Sequence, residues 1–108
     1  MVSMEEFNRI ELKVGEITAA EVIPGSDRLL KVTVDLGADK RTLVGGLAKS
    51  FRPTELCGLQ VIVATNLQPT RIRGVESQGM LLGVGCDQGT SIGLLTVSRR
   101  APNGARVT

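Results

Sequence analysis

Apolar and polar residues alternate with period two along much of the chain, the mark of half-buried β-strands. Residues 29–36 show it most cleanly, with Leu30, Val32, Val34 and Leu36 on one face and Lys31, Thr33 and Asp35 on the other. In residues 12–23 the apolar positions run through Leu12 and Val14, then change phase to Ile17. A phase change at Gly15-Glu16 predicts a β-bulge, which lets one long strand bend and serve two parts of a barrel. Turn residues bound the next strand on either side: Pro24-Gly25-Ser26-Asp27 before it, Gly37-Ala38-Asp39 after it. Arg41–Val44 reads as a third strand, ended by Gly45-Gly46. Residues 47–57 break the pattern, and Leu47–Phe51 and Pro53–Leu56 suit short helical turns. Gln60–Thr65 is a continuous apolar strand and therefore a central one. Met80–Val84 and Ile92–Val97 read as further strands, and Ala101-Pro102-Asn103-Gly104 as a turn before a short C-terminal segment.

Five or six short strands, a bulged first strand and one helical insertion after the third predict an all-β fold. The arrangement fits a five-stranded Greek-key barrel of the OB type, with a short helix between strands three and four and a C-terminal β extension. An SH3-like barrel is the competing architecture. A length of 108 residues, with no linker or repeat, fits one domain spanning 1–108. With 42% hydrophobic and 22% charged residues, the chain has an ordinary globular composition.

The chain contains no histidine, which removes the commonest metal ligand and the commonest general base. Cys57 and Cys86 form no Cys-x-x-Cys pair, so a zinc site is excluded, and both are expected as buried thiols. The stretch Gly79–Gly85 lacks the Lys-Ser/Thr ending of a phosphate loop. No catalytic constellation remains. The chain reads as non-catalytic, with no cofactor expected. The acidic N-terminus has no signal-peptide character and no apolar run is long enough to span a membrane, so a cytoplasmic location is expected.

The net charge of +2 is unevenly spread. Residues 1–39 carry four bases and eight acids, residues 40–74 six bases and one acid, and residues 75–108 three bases and two acids. A basic middle segment points to an anionic partner. Phe7 and Phe51 are the only aromatic residues. A stacking platform for bases is therefore missing, and recognition of an RNA would rest on backbone shape and phosphates.

Several motifs resemble one family along nearly the whole chain. Phe7 followed by Ile10-Glu11-Leu12-Lys13-Val14-Gly15-Glu16-Ile17 is similar to the opening strand of the tRNA-binding domain family. This is the OB-fold module attached to many methionyl-tRNA synthetases and also found as free-standing dimers. Pro24–Val32, Leu43–Ala48, Pro53-Thr54-Glu55-Leu56, Asn66-Leu67-Gln68-Pro69 and Ile72–Leu82 continue the match. The resemblance implies binding of tRNA through the outer corner of its fold, homodimerisation aided by the C-terminal extension, and possible partnership with a methionyl-tRNA synthetase. Relatives resembling the export chaperone CsaA, which bind unfolded polypeptide, give the alternative function. A structural domain tethering a synthetase assembly is a third reading.

Arg73, within Ile72-Arg73-Gly74, is the leading candidate for an RNA contact, with Arg71 beside it. Asn66 either reads a base edge or caps a turn. Ser77 and Met80 fall in the family's Ser-x-Gly-Met motif, though Met80 also suits core packing. Lys31 lies on the polar face of its strand. Lys40, Arg41, Lys49 and Arg52 are phosphate candidates or plain surface charges. Arg99 and Arg100 face either solvent or a dimer partner. Gly45 stands where the family usually has Ser, which removes one hydroxyl from the expected groove.

Overall fold

β1 (Leu12–Val22) is the longest strand, and it bends between two partners in the computed structural model, which describes residues 1–108. Its first half pairs antiparallel with β4 (Gln60–Ala64), Leu12 opposite Ala64 and Glu16 opposite Gln60. Its second half pairs with β2 (Leu30–Asp35), from Glu16 opposite Asp35 to Val22 opposite Leu30. The ladder to β2 slips between Ile17 and Ala19, which places the bulge at Thr18. The bulge expected at Gly15-Glu16 is thus displaced along the strand. The phase change there has another origin: Val14 and its cross-strand neighbour Ile62 are buried on one face of the sheet, while Gly15 and Ile17 are buried on the other. Gly15 stays in register opposite Val61, and the side chains of Val34 and Leu36 occupy the space a Cβ would need.

β3 (Lys40–Gly45) pairs with β2, and β7 (Met80–Leu81) pairs with the far side of β4. The resulting order is β3-β2-β1-β4-β7. Hydrogen bonds from the segment before β7 join the two outer strands. The Gln78 backbone N–H donates to the Thr42 carbonyl at 2.9 Å, and Gln78 Oε1 accepts from the Thr42 N–H at 3.0 Å. Ser77 Oγ accepts from the Val44 N–H at 3.1 Å. A five-stranded, nearly closed antiparallel barrel with a helix, α2 (Pro53–Leu56), between its third and fourth strands is the OB arrangement rather than the SH3-like one. Inward-facing Ile17, Leu30, Val32, Val34, Leu43, Val61 and Val63 are almost wholly buried, and Leu56 of α2 joins them.

Three further features depart from the sequence-based expectation. A one-turn helix, α1 (Met4–Phe7), is held by a capping box between Ser3 and Glu6 and buries none of its residues. The expected strand Met80–Val84 is interrupted. Leu82 donates its N–H to Ile62 and accepts from Leu95, so β7 ends in the barrel while β8 (Gly83–Cys86) leaves it to pair with β9 (Ser91–Leu94). Both cysteines are exposed free thiols: Cys57 follows the short α2, and Cys86 lies on β8, whose residues are all exposed. Apolar sequence neighbours do not bring either into the core.

The C-terminal segment runs beside the first half of β1, on the edge that β2 does not reach. Gly104 N–H donates to the Val14 carbonyl at 2.7 Å, Val14 N–H to Ala105 at 2.8 Å, and Val107 N–H to Leu12 at 2.9 Å. Buried Gln60 anchors the approach, donating to Ala101 and Asn103 while accepting from the Ala101 N–H. Arg100 pairs with Glu16, so it is engaged within the fold, whereas Arg99 is exposed. No helix is long and apolar enough to cross a membrane.

Candidate nucleic-acid interface

Between β4 and β7 the chain forms a small hairpin, β5 (Thr70–Ile72) and β6 (Val75–Ser77). Arg73 and Gly74 make its tip, with φ of 51° and 79°. Two successive left-handed residues suit a two-residue hairpin turn, a place where Asn-Gly is favoured. A non-glycine residue with a bulky side chain costs about 1–2 kcal/mol in that conformation. Arg73 is nonetheless there, exposed and without an ion-pair partner. It borders a depression together with Lys31, Val22, Pro24 and Val75. Lys31 faces the same depression but pairs with Glu21 at 2.9 Å, which partly offsets its charge. Arg71 is exposed and closes back on the hairpin, donating to the Gly74 carbonyl at 2.9 Å.

Met80 is half exposed, so the packing alternative does not hold for it. It shares a hollow with Val44, Leu67 and Ile72 on one side and an apolar groove with Leu47, Leu81, Ile92 and Leu94 on the other. Ser77 lines the first hollow, yet its hydroxyl is buried and fully engaged: it accepts from Val44 and donates to the Gly79 carbonyl. That hydroxyl joins β3 to the turn before β7 and so helps close the barrel. Arg41 is engaged within the fold as well. It sits opposite Val34 on the inward side of β3, and its guanidinium turns to the barrel end, donating to the Thr65 and Gln78 carbonyls and pairing with Asp39.

Asn66 acts as a clamp. Its Oδ1 accepts from the Glu11 N–H at 2.8 Å and its Nδ2 donates to the Arg9 carbonyl at 2.7 Å, tying the N-terminal segment to the end of β4. Beside it the buried Thr65 hydroxyl donates to the Glu11 carboxylate at 2.7 Å. That hydrogen bond, reinforced by Lys13, holds the Glu11 carboxyl below its ordinary range. A lowered folded value means the contribution is present above the unfolded carboxylate pKa and is lost as pH falls through the folded one. Glu11→Gln should flatten the acid limb of the stability–pH curve while leaving its neutral-to-alkaline shape unchanged, as read by urea unfolding at stepped pH.

Lys40 is exposed and free of ion pairs. Arg52 lies just before α2, where its backbone and guanidinium hold Glu55, whose carboxyl is lowered in consequence. Lys49 is exposed in the turn after β3, on the far side of the apolar groove from the β5–β6 hairpin. Arg28, which is not among the candidates the sequence singles out, shares that location with Lys49. A basic residue inside a turn motif is the signal that points to it.

Comparison with known proteins agrees with this architecture. Residues 12–106 match the family model described as "Putative tRNA binding domain". The methionine–tRNA ligase of Pyrococcus furiosus is 45% identical over 98% of this chain, and that of Methanoregula boonei 51% identical over 79%. The chain spans only 14% and 13% of the length of those two proteins. A solved MetRS related protein from Pyrococcus horikoshii superposes with a TM-score of 0.93 at 39% identity, covering 100% of this chain and 98% of that one. The chaperone CsaA of Bacillus anthracis superposes at 0.90 with 27% identity, covering 100% and 99%. With the family pattern matched from β1 to the C-terminal segment, and the same barrel in a relative of nearly equal length, this chain belongs to the tRNA-binding domain family.

Proposed function

We propose that the chain binds folded tRNA without catalysing a reaction, as a homodimer, and serves a methionyl-tRNA synthetase in trans. The observation that carries this reading is Arg73: an unpaired cation held at a left-handed hairpin tip, inside the family-matched segment and beside Lys31. Arg71, on the same hairpin, adds a second cation beside it. Phe51 packs against the core and Phe7 lies on α1, so no aromatic row is offered to unstacked bases. Binding then rests on phosphates and on the shape of a structured RNA. Exposed Val84 on β8 and Leu95 after β9 support a second copy docking against the C-terminal hairpin.

A salt titration of binding to total folded tRNA tests this, with single-stranded RNA and an unfolded polypeptide as competitors. With about four to six phosphates engaged, log K should fall against log salt with a slope of about −4 to −5. Arg73→Ala should weaken binding and reduce that slope by about 1. A flat salt response, with the polypeptide displacing tRNA, would transfer the function to peptide binding. One observation favours that second reading: the apolar groove of about 280 Å³ lined by Val44, Leu47, Met80, Ile92 and Leu94, in a fold shared with CsaA.

A further inference from the structure

Three separate segments meet on the far side of the apolar groove. The loop before β2 brings Arg28, the turn after β3 brings Gly46, Lys49 and Ser50, and the β8–β9 hairpin brings Gly89 and Thr90. Together they line an open cleft of about 540 Å³ in which Ile92 is the only hydrophobic residue. Two hydrogen bonds fix the segments to one another. Ala48 N–H donates to the Arg28 carbonyl at 3.0 Å, which ties the loop to the turn. Ile92 N–H donates to Ser50 Oγ at 2.8 Å, which ties the turn to β9.

The chemistry of the cleft is that of an oxyanion receptor. Arg28 and Lys49 are both exposed, and neither forms an ion pair. The nearby Asp87 carboxylate accepts from Ser91 and does not line the cleft. Ser50 Oγ is used as an acceptor, which leaves its O–H to donate outward. Thr90 Oγ1 already donates to the Asp87 carbonyl at 2.7 Å. At Gly46 and Gly89 open space lies where a Cβ would stand, so a ligand oxygen approaches the backbone unhindered. A guanidinium offers a planar fork and an ammonium a point charge, a pairing suited to a phosphate. Ile92 is the one hydrophobic side chain in the lining, too little to seat an apolar peptide side chain here.

We propose that this cleft is a second phosphodiester-binding site, so that the RNA backbone is held at two places, by the Arg73 hairpin and by the Arg28–Lys49 cleft, which share no lining residue. The inference rests on the RNA-binding reading for its ligand but not for its site. Two measurements separate them. In the first, tRNA binding is titrated against salt for the wild type, R73A, R28Q/K49Q and the triple variant. R28Q/K49Q should lower the slope by about 2 and weaken binding, with the R73A effect adding to it because the two sites share no residue. An unchanged slope and affinity in R28Q/K49Q, with R73A impaired, overturns the second site and leaves RNA binding standing. In the second, inorganic pyrophosphate is titrated while the amide resonances of Gly46, Gly89 and Thr90 are followed. Saturable shifts in the wild type that vanish in R28Q/K49Q support the cleft even if tRNA fails to bind. Absent shifts, or shifts equal in the two proteins, overturn it.

Discussion

Leu30→Ala should lower the unfolding free energy by about 3–4 kcal/mol, toward the upper part of the range for buried leucines. Leu30 begins β2 and is fully buried. The residue opposite it on β3 is Gly45, which has no side chain to move into the vacated volume. The next inward residue along β2 is β-branched Val32, and five of the nine other residues of the core cluster are Val or Ile. Such side chains have few rotamers with which to relax. The loss therefore contains both the transfer term and most of a cavity term. Equilibrium urea unfolding reads it directly, with the slope against denaturant unchanged. A loss below about 1.5 kcal/mol would mean that the barrel collapses around the gap, contrary to this packing.

Gly104→Ala should cost about 2–4 kcal/mol, from strain and collision together. Gly104 has a φ of +93°, and an alanine Cβ would run into the Leu36 carbonyl, a backbone group that cannot rotate away. Gly37, at φ +83°, presses in turn against the Asn103 carbonyl, so the two glycines let two backbones cross. Gly25 supplies the control. Its φ is +82°, but nothing lies within 4 Å of where its Cβ would stand, so Gly25→Ala should show the strain alone, about 1 kcal/mol. Hydrogen exchange at the Val14 and Val107 amides, both bonded within the C-terminal clasp, should accelerate in the Gly104 variant and not in the Gly25 one. Equal destabilisation by the two substitutions would show that the close crossing contributes nothing.

The barrel is legible where alternation is strict. Residues 29–36 announce β2 because every second residue enters the core, and Gln60–Thr65 announces a central strand because both its faces are covered. Features set by single hydrogen bonds or single dihedrals are harder to read. Nothing in Ile72-Arg73-Gly74-Val75 looks like a hairpin tip, because arginine is not a residue that favours left-handed backbone. Ser77 and Arg41 have the residue types of a binding site, and only their hydrogen bonds show that one is buried in the barrel seam and the other turned to its end. Asn66 divides between two roles on paper. Its hydrogen bonds to Arg9 and Glu11, far away in sequence, show a clamp that neither role describes. The Ser3–Glu6 capping box has a readable signature, but a one-turn helix with no buried face leaves no periodicity to draw the eye to it.

The clasp on β1 also governs when the fold can be finished. The strand at the centre of the sheet carries a bare edge from Leu12 to Val14 until residues 104–107 arrive, and those leave the ribosome after every strand of the barrel. A nascent chain can close the barrel before then, but it does so with unpaired N–H and C=O groups facing outward, the usual template for pairing with another chain. A cut in the exposed stretch around Arg99 would recreate that condition in the mature protein. A short segment that contributes little to the hydrophobic core thus covers the edge of β1 that would otherwise stand open to a strand from a neighbour.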